Sequence, residues 1–527
     1  MALDKESLGS RSARAFSVLG IGRVIGLLIG IATIIIIARL LGPVGYGVFT
    51  LAFAFFSLIG ATSNFGFGVY LTKFLSEYEE KKDRKRFGRA LASGYLSVII
   101  MGMLLTLLGI ALSGTIASVL HDSGISSFTL MLASSVVFFF MLYGTSDFAL
   151  IGMGRNTAAI MLENAENVVL IVASVALVLL GYGVDGAIAG LLISYIFASI
   201  IGVFFVFKYA RDWMGKGIGW PSVKDVREAF LFSIPVAVNN FLSNAVVNFA
   251  TLFLGFFVSA YEIGNYGIAN RARNVLAVFY GTSAVALLPT LTIAASRDGK
   301  KKNAKGRFGM IYNKVLLYSM IATIPIVSYL GVFATPLIYL FISRNFGSAP
   351  MYLALIALGT ILNLAGTYVT SLFVSKGKTR QLLTYSVFST VAQLVALAVF
   401  VPMWGVFGAI IAIFFVGSIV NSYLFVWGAE KVLGLKTDNK KLLLTFASNI
   451  ALAVLFAAGL FIGSFALELA WGAFVFLVAY PPLLIVFRVV SKEDLALLRK
   501  SFDRLPSLRM LTSPLLTYFK ILMRYLQ

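Results

Sequence analysis

Three arginines stand in stretches where a membrane-crossing helix normally excludes charge. Arg23 lies inside the apolar run "GIGRVIGLLIGIATIIIIARLLG", which starts at Gly20, and Arg271 and Arg273 lie in "NYGIANRARNVLAV". A charge at the centre of a bilayer costs roughly 2.5–3.5 kcal/mol or more, so each arginine needs a partner or a function. Because a guanidinium pairs phosphate oxygens through two parallel hydrogen bonds, we expect these arginines to bind an anionic phosphate group.

Helical geometry separates Arg271 from Arg273. The two residues are about 200° apart around a helix, so they cannot share a face. We expect at least one of them to meet a cavity in the membrane, and we prefer Arg271.

Arg23 has two open interpretations, because it could line the same cavity or pair with a carboxylate. It lies roughly 13 Å into its helix, a long reach to the membrane surface. The glycines around it follow a small-residue pattern that is typical of a packing seam rather than a site: Gly22, Gly26 and Gly30. We favour the cavity for Arg23.

Amides supply the next candidate groups. Three asparagines at i, i+4 and i+8 form a polar stripe along one face of the predicted helix 227–258: Asn240, Asn244 and Asn248. This stripe, with Asn274, could hydrogen-bond sugar hydroxyls, and it could equally well form hydrogen bonds that hold neighbouring helices together. Isolated amides elsewhere are expected to form hydrogen bonds between helices: Asn363, Gln393, Asn421 and Asn449.

Three carboxylates lie near one end of two neighbouring predicted helices. Asp147 ends one of them, and Glu163 and Glu166 are three residues apart on one face of the next. They could balance Arg23, which we consider the better interpretation, or bind a proton or Na⁺ for ion coupling.

Composition indicates that the elements carrying these groups are membrane-spanning helices. The chain is 59% hydrophobic, its mean hydropathy is +0.93, and it has no cysteine. Apolar runs of about 20 residues recur along it, which predicts an all-α polytopic membrane protein. We expect fourteen spans, near 15–40, 46–71, 89–113, 126–152, 157–181, 185–208, 227–258, 263–293, 308–341, 350–374, 381–402, 404–429, 441–463 and 469–490. Pro325 and Pro336 should kink the long region 308–341 or end it in a short turn.

Basic residues orient these spans. Most of the 43 Lys and Arg fall in alternate connections, which by the positive-inside rule places both termini in the cytoplasm of a multi-pass protein of the cell membrane. The net charge of +21 is therefore dispersed over cytoplasmic loops, where it meets membrane lipid, and nucleic-acid binding is not expected. The tail 491–527 combines leucines with basic residues, which predicts an amphipathic cytoplasmic segment.

Two short matches indicate an internal repeat. "GYGVFTLA" from Gly45 matches "NYGIANRA" from Asn265, and "GVDGAIAG" from Gly183 matches "GVFGAIIA" from Gly405, at nearly the same offset. Six spans separate the copies, so both have the same orientation, and this predicts two six-helix lobes related by a pseudo-two-fold axis. We predict an N-lobe over 1–225, a C-lobe over 226–434, and two extra helices over 435–490.

The polar inventory argues against an enzyme. The predicted outer loops are too short for catalytic loops, which disfavours a membrane glycan polymerase or transferase. The single histidine, His121, has no second metal ligand nearby, so neither a metal site nor a cofactor is expected. No ATP-binding motif is present, so any transport must use an ion gradient, the membrane potential or the substrate's own gradient.

The stretch "ARLLGPVGYGVFTLAFAFFSLIGATSNFGFGVYLTKFLSE", from Ala38 to Glu77, resembles the Wzx-type polysaccharide flippases of the multidrug, oligosaccharidyl-lipid and polysaccharide exporter superfamily. The matching positions are Arg39, Leu41-Gly42-Pro43, Tyr46-Gly47, Gly66, Gly68, Tyr266, Ala269-Asn270-Arg271 and Pro289. The acidic residues common before the first tyrosine are absent, since Val44 and Gly45 stand there.

The resemblance implies a flippase that moves a polyprenyl- or dolichyl-(di)phosphate-linked oligosaccharide from the cytoplasmic to the outer leaflet by alternating access. It would serve surface polysaccharide or glycoprotein glycan synthesis, as a monomer that works beside glycan-assembly enzymes. The resemblance carries over Arg271, whereas Arg23 rests on the argument from its position. The main alternative on the same fold is a cation-coupled antiporter for drugs or small metabolites, which would use the carboxylates.

Overall fold

A computed structural model describes residues 8–60, 66–120, 124–214, 220–274, 304–375 and 378–490, and every regular element in these ranges is a helix. The side chains of Arg23, Asn240 and Asn244 lie outside the described set. The first helices are α1 (Leu8–Ile59), α2 (Phe67–Glu80), α3 (Arg84–Val119), α4 (Ser127–Gly152), α5 (Asn156–Leu177), α6 (Gly183–Met214), α7 (Val223–Leu254) and α8 (260–274).

The later helices continue the same architecture. They are α9 (Ala304–Val332), α10 (Ala334–Phe341), α11 (Ala349–Ser375), α12 (Thr379–Ile410), α13 (Gly417–Leu433), α14 (Asn439–Ala458), α15 (Phe465–Val478) and α16 (Tyr480–Val486). Short π-helical turns, Val178–Tyr182 and Ile411–Val416, precede α6 and α13.

Length and hydropathy show that the protein crosses a membrane several times. In the described part of the chain, eight helices are long and apolar enough to span a bilayer, or nine if the bent pair α15 and α16 counts as one span. Two apolar segments, Asn156–Arg211 and Arg380–Leu433, have 56 and 54 residues, whereas one crossing needs about 20. Large apolar side chains face outward, as lipid requires, and Leu180 is 72% exposed. The total of fourteen spans stays a prediction.

Two predicted spans are divided in the structure. Helix α1 ends at Ile59, and α2 begins at Phe67 after Gly66, whose φ of 72° stops a continuous helix. In the region 308–341, α9 runs through Pro325, and Pro336 lies in the first turn of the separate helix α10. His121 and the tail 491–527 lie outside the described residues.

The chain divides into two compact units. Unit 1 comprises residues 1–268 and 397–409, and unit 2 comprises 269–396 and 410–527. In unit 1, α3, α4, α5 and α6 pack together, and at one end α2 joins them around a buried core that includes Leu71, Phe87, Leu150 and Leu162. The predicted lobe boundaries, 1–225 and 226–434, stay a prediction.

Unit 2 has two buried clusters. Helices α9, α11 and α13 enclose Met320, Phe373 and Phe425. Helices α14, α15 and α16 pack beside α9 around Phe333 and Phe456. The helices predicted as a C-terminal addition therefore share a core with the rest of unit 2.

The second sequence repeat has the same backbone conformation in both copies. Gly183 has φ 52° and ψ −128°, and Gly405 has φ 54° and ψ −125°, a region that residues with a Cβ rarely enter. Three residues later, a Cβ at Gly186 would overlap the backbone of Leu177 at the end of α5, and one at Gly408 would overlap the backbone of Phe400, in the part of α12 before the bend. The two copies therefore bend in the same way, between α5 and α6 in the first copy and within α12 in the second.

Candidate functional site

The glycine seam around Arg23 packs α1 against α5. A Cβ at Gly22 would lie 2.5 Å from Ile160 Cγ2, and one at Gly26 would lie 2.6 Å from Asn164 Oδ1. Asn164 Nδ2 also donates a hydrogen bond of 3.1 Å to the Gly22 carbonyl oxygen. The glycines therefore form a close helix contact, and Arg23 follows directly after its first member.

The predicted carboxylates gather around one tyrosine in unit 1. Glu166 is 6% exposed, and its Oε1 accepts a hydrogen bond of 2.9 Å from Ser194 Oγ of α6. Glu163, one turn earlier on α5, is exposed. Tyr143 of α4 lies within electrostatic range of Asp147, Glu163 and Glu166. The structure thus places the three acidic groups within electrostatic range of one tyrosine and buries one of them.

Aromatic rings extend from this cluster along α4, α6 and α1. The ring of Tyr195 lies 5.6 Å from that of Tyr143 and 5.1 Å from that of Phe140, and Phe140 contacts Phe56 at 5.2 Å. Sequence reasoning missed Ser194 and these rings. The available signal was the adjacent Ser-Tyr pair in the apolar stretch "LLISYIFASI".

On α8 the two arginines have different surroundings. The guanidinium of Arg273 lies over the ring of Phe414, 5.2 Å from its centroid, and its Nη2 donates a hydrogen bond to Asn274 Oδ1. Among the described residues its buried Nε has no hydrogen-bond partner. Arg271 is half-buried. A cation over an aromatic face is held in place while its remaining donors stay available.

Three of the four isolated amides connect helices, as expected, whereas the prediction is wrong for Gln393. Asn421 Nδ2 of α13 donates to Asn363 Oδ1 of α11 at 2.8 Å, and the next residue, Ser422, donates to the Leu362 carbonyl oxygen at 2.6 Å. Asn449 Nδ2 reaches Tyr480 of α16 at 3.4 Å. Gln393 differs, because it donates to Ser389 of its own helix.

The predicted sugar-binding amides are only partly described. Asn240, Asn244 and Asn248 lie on the helical backbone of α7, and Asn248 is half-buried. Asn274 is exposed, and it accepts from Arg273. Their role as sugar-binding groups stays a prediction.

Within the described ranges, no group of three or more histidine, cysteine or acidic side chains could hold a metal ion. The three carboxylates around Tyr143 therefore do not form a site with metal-ligand geometry, although a monovalent ion or a proton has weaker requirements.

Solved membrane transporters share this fold. The lipid II flippase MurJ in an inward closed conformation matches with a TM-score of 0.70 and 17% identity, over 89% of this chain and 98% of that chain. A multidrug resistance MATE family transporter of the MOP superfamily, in an inward-facing conformation, matches with a TM-score of 0.63 and 18% identity, over 78% and 95%. A MOP superfamily transporter from Pyrococcus furiosus, described as having a binding pocket of reverse polarity, matches with a TM-score of 0.54 and 18% identity, over 79% and 94%.

Comparison with curated proteins found no significant match. The family profile described as "Polysaccharide biosynthesis protein" matches residues 12–295, more than half of the chain. This match confirms the resemblance seen in the sequence motifs and covers α1 to α8, including Arg23, the carboxylates, Arg271 and Arg273. The chain therefore belongs to the polysaccharide biosynthesis protein family, on a helical fold that is also found in lipid flippases and multidrug transporters.

Proposed function

We propose that this protein is a flippase for a polyprenyl- or dolichyl-(di)phosphate-linked oligosaccharide, which it moves from the cytoplasmic to the outer leaflet by alternating access. The observation that carries the proposal is the cation on α8, where Arg273 is held over Phe414 in a chain of the polysaccharide biosynthesis family. A partly desolvated guanidinium with free donors suits a phosphate oxygen.

The proposed phosphate-binding surface comprises Arg23, Arg271 and Arg273, and Asn240, Asn244, Asn248 and Asn274 would contact the sugar. Arg271 is supported by its motif position, and Arg273 by its contacts with Phe414 and Asn274. The seam between α1 and α5 supports Arg23 indirectly, because it fixes the helix that carries this residue.

The proposed architecture has fourteen spans, with two six-helix lobes and two further helices. The shared conformation of Gly183 and Gly405 supports the repeat. The distribution of basic residues supports cytoplasmic termini in the cell membrane. We further propose that the protein acts as a monomer beside the enzymes that assemble the glycan.

The runner-up function is a cation-coupled antiporter, and the buried Glu166 is the observation that favours it. The likeness to MATE transporters shows the fold alone. Under the flippase proposal, Asp147, Glu163 and Glu166 have a different role, since they balance Arg23 or couple transport to H⁺ or Na⁺.

Transbilayer movement of a fluorescent polyprenyl-diphosphate oligosaccharide in proteoliposomes tests the proposal. We expect movement by the wild type and its loss in folded Arg23→Gln, Arg271→Gln and Arg273→Gln variants. Arg344→Gln is the matched control, because Arg344 also lies over a ring, at 5.4 Å from Phe465, but outside the proposed surface.

The outcomes separate the candidate functions. Movement that survives in all three arginine variants would make these residues structural. No movement of any such lipid by the wild type, together with cation-dependent drug efflux, would favour the antiporter. Equal loss in Arg344→Gln would mean that the assay reports protein integrity rather than substrate binding.

A further inference from the structure

Two polar atoms of α8 are buried without a hydrogen-bond partner in the part of the chain that the structure describes. They are the acceptor Oδ1 of Asn270 and the donor Nε of Arg273. The two residues are three positions apart, which places them about 60° from each other around the helix, on one face. We call these two atoms the α8 polar pair.

Buried polar atoms of this kind are uncommon because each one costs free energy. Most buried donors and acceptors in proteins are hydrogen-bonded, and a buried group left unpaired destabilises the fold by its full desolvation penalty. On α8 a donor and an acceptor share a face and still do not bond to each other. A single partner that both accepts and donates a hydrogen bond would satisfy the two atoms at once.

The guanidinium of Arg273 is held by two other contacts. Its Cζ lies 5.2 Å from the centroid of the Phe414 ring, and its Nη2 donates a hydrogen bond to Asn274 Oδ1. Because the N–H donors of arginine form a rigid planar fork, these contacts also fix the direction of Nε–H. The donor of the α8 polar pair is therefore held in place without being used.

The ring beside Arg273 comes from a closely packed part of unit 2. Phe414 is 4% exposed and lies in the π-helical turn Ile411–Val416. A Cβ at Gly359 of α11 would lie 2.5 Å from the Phe414 carbonyl oxygen, so α11 packs directly on the backbone of this turn. Single π-helical turns occur frequently at functional sites. The packing of α11 on the π-helical turn thus fixes the aromatic contact of Arg273.

We propose that the α8 polar pair binds one hydroxyl group of the transported substrate. The hydroxyl oxygen accepts a hydrogen bond from Arg273 Nε, and the hydroxyl proton is donated to Asn270 Oδ1. An unprotonated phosphate oxygen would satisfy Arg273 alone, and an N–H group would satisfy Asn270 alone, whereas a hydroxyl satisfies both. The inference rests on the proposed function and adds Asn270 as a residue that determines specificity.

Two parts of a lipid-linked sugar can supply such a hydroxyl. One is the sugar ring, and the other is a terminal phosphate that carries a proton, since the second pKa of a phosphate monoester is about 6. A diphosphate esterified at both ends, to lipid and to sugar, has no terminal phosphate. We therefore expect the sugar to supply the hydroxyl, while the other N–H donors of Arg273 contact the phosphate.

Calorimetric titration of the purified full chain in detergent tests the inference with three probes. The first is glucosyl-diphosphate-farnesol, the second is its tetrahydropyranyl analogue, which keeps the ring but has no hydroxyl, and the third is farnesyl diphosphate. A site built to bond a hydroxyl discriminates against an analogue that lacks it, because the buried groups then stay unpaired. We expect the wild type to bind the glucosyl probe at least about ten-fold more tightly than the tetrahydropyranyl probe.

Asn270→Leu should reduce this preference. It removes the acceptor, so we expect affinity for the glucosyl probe to fall by about five-fold or more and affinity for the tetrahydropyranyl probe to stay unchanged. Asn449→Leu is the matched control, because Asn449 Oδ1 is also buried without a hydrogen-bond partner in the described part of the chain, but on α14, where its amide contacts Thr445 and Tyr480. It should keep the wild-type preference.

Thermal unfolding of the ligand-free protein provides a second test that needs no substrate. If the α8 polar pair is satisfied only by a ligand, Asn270→Leu removes an unpaired buried acceptor and should keep or raise the unfolding midpoint. If water bridges the two atoms as part of the fold, the same change loses a hydrogen bond and lowers the midpoint. A lower midpoint of ligand-free Asn270→Leu would overturn the inference.

The binding outcomes separate this inference from the proposed function. Equal binding of the glucosyl and tetrahydropyranyl probes by the wild type, or an unchanged preference in Asn270→Leu, would overturn the inference alone. Tighter binding of farnesyl diphosphate at about pH 5 than at about pH 8, in the wild type but not in Asn270→Leu, would support the hydroxyl and assign it to a protonated phosphate. Binding of none of the probes would overturn the proposed function and the inference with it.

Discussion

The contact between α5 and α6 in unit 1 and the contact between α11 and α13 in unit 2 bury different kinds of polar group, although unit 2 also buries a carboxylate, Glu468 of α15. In unit 1 the buried contact between α5 and α6 is a carboxylate, Glu166, that accepts from Ser194. In unit 2 the contact between α11 and α13 is a pair of neutral amides, Asn363 and Asn421. A carboxylate can bind a proton or a cation, whereas an amide pair cannot titrate and mainly joins helices.

The backbone does not show this difference. The bends at Gly183 and Gly405 have the same φ and ψ within 3°, and in both copies the glycine three residues later lies against the backbone before the bend. The repeat therefore preserves the path of the chain while the side chains differ. We infer that these backbone features serve folding in both copies.

Removal of the buried carboxylate should have the largest effect on transport. Glu166→Leu replaces a buried ionisable side chain by an apolar one of similar size, so we expect thermal stability to be kept or increased. If the carboxylate couples transport to an ion, transport in proteoliposomes should fall by about ten-fold or more. A ten-fold fall corresponds to a rise of roughly 1.4 kcal/mol in the activation barrier.

Stability and transport must be measured on the same preparation of Glu166→Leu. Unchanged transport would show that Glu166 only packs α5 against α6, which would remove the functional contrast between the two contacts. Ser134→Ala is a suitable control, because Ser134 is also fully buried but donates within its own helix.

Replacing the bend glycine by alanine should cost a different free energy of folding in the two copies, although the bends share one conformation. Alanine at either Gly183 or Gly405 meets an unfavourable positive φ, which costs about 1–3 kcal/mol. At Gly405 the added Cβ would also lie 2.8 Å from Val258 Cγ1, whereas nothing lies within 4 Å at Gly183. We therefore expect Gly405→Ala to lower the thermal unfolding midpoint more than Gly183→Ala. Equal midpoints would mean that Val258 moves aside freely.

The bends at Gly183 and Gly405 could be inferred from the sequence, whereas hydropathy alone did not locate the break near Gly66. The motif "GVxGAI" occurs twice with glycines where a positive φ and close packing require them, so its structural meaning could be inferred. The residues between Ile59 and Phe67 include the polar run Thr62-Ser63-Asn64 and two glycines, with apolar residues on both sides. Hydropathy averaged over the length of a span does not resolve such a short polar interruption, although the glycines and polar residues are a turn signal.

The arrangement of the candidate site also could not be derived from the local sequence. Periodicity placed Glu163 and Glu166 on one face, but only Glu166 is buried, because burial depends on where α6 packs. Likewise, Arg273 meets Phe414 from a distant part of the chain, and no local spacing could indicate this contact. Sequence identifies which groups are costly to bury, whereas the packing of the helices determines which partner each one finds.

The amide pair of unit 2 should be structural. Asn363→Leu and Asn421→Leu each remove one partner of a 2.8 Å hydrogen bond, and we expect a coupling energy of about 0.6 kcal/mol, and at most roughly 1.7, in a double-mutant cycle of unfolding. Transport per folded molecule should not change. A selective loss of transport would show that this amide pair is functional and would weaken the comparison.

The smallest effects should come from helix caps that the units share. Asp83 caps α3 in unit 1 by accepting from Arg86 N at 3.0 Å, and Asp438 caps α14 in unit 2 by accepting from Lys441 N at 3.1 Å. If backbone features serve folding alike in both units, Asp83→Ala and Asp438→Ala should each cost about 1 kcal/mol and leave transport per folded molecule intact. Hydrogen exchange at the first turns of α3 and α14 measures each cap locally. A transport defect in only one variant would show that the difference between the units extends to their helix ends, beyond the polar groups within the membrane.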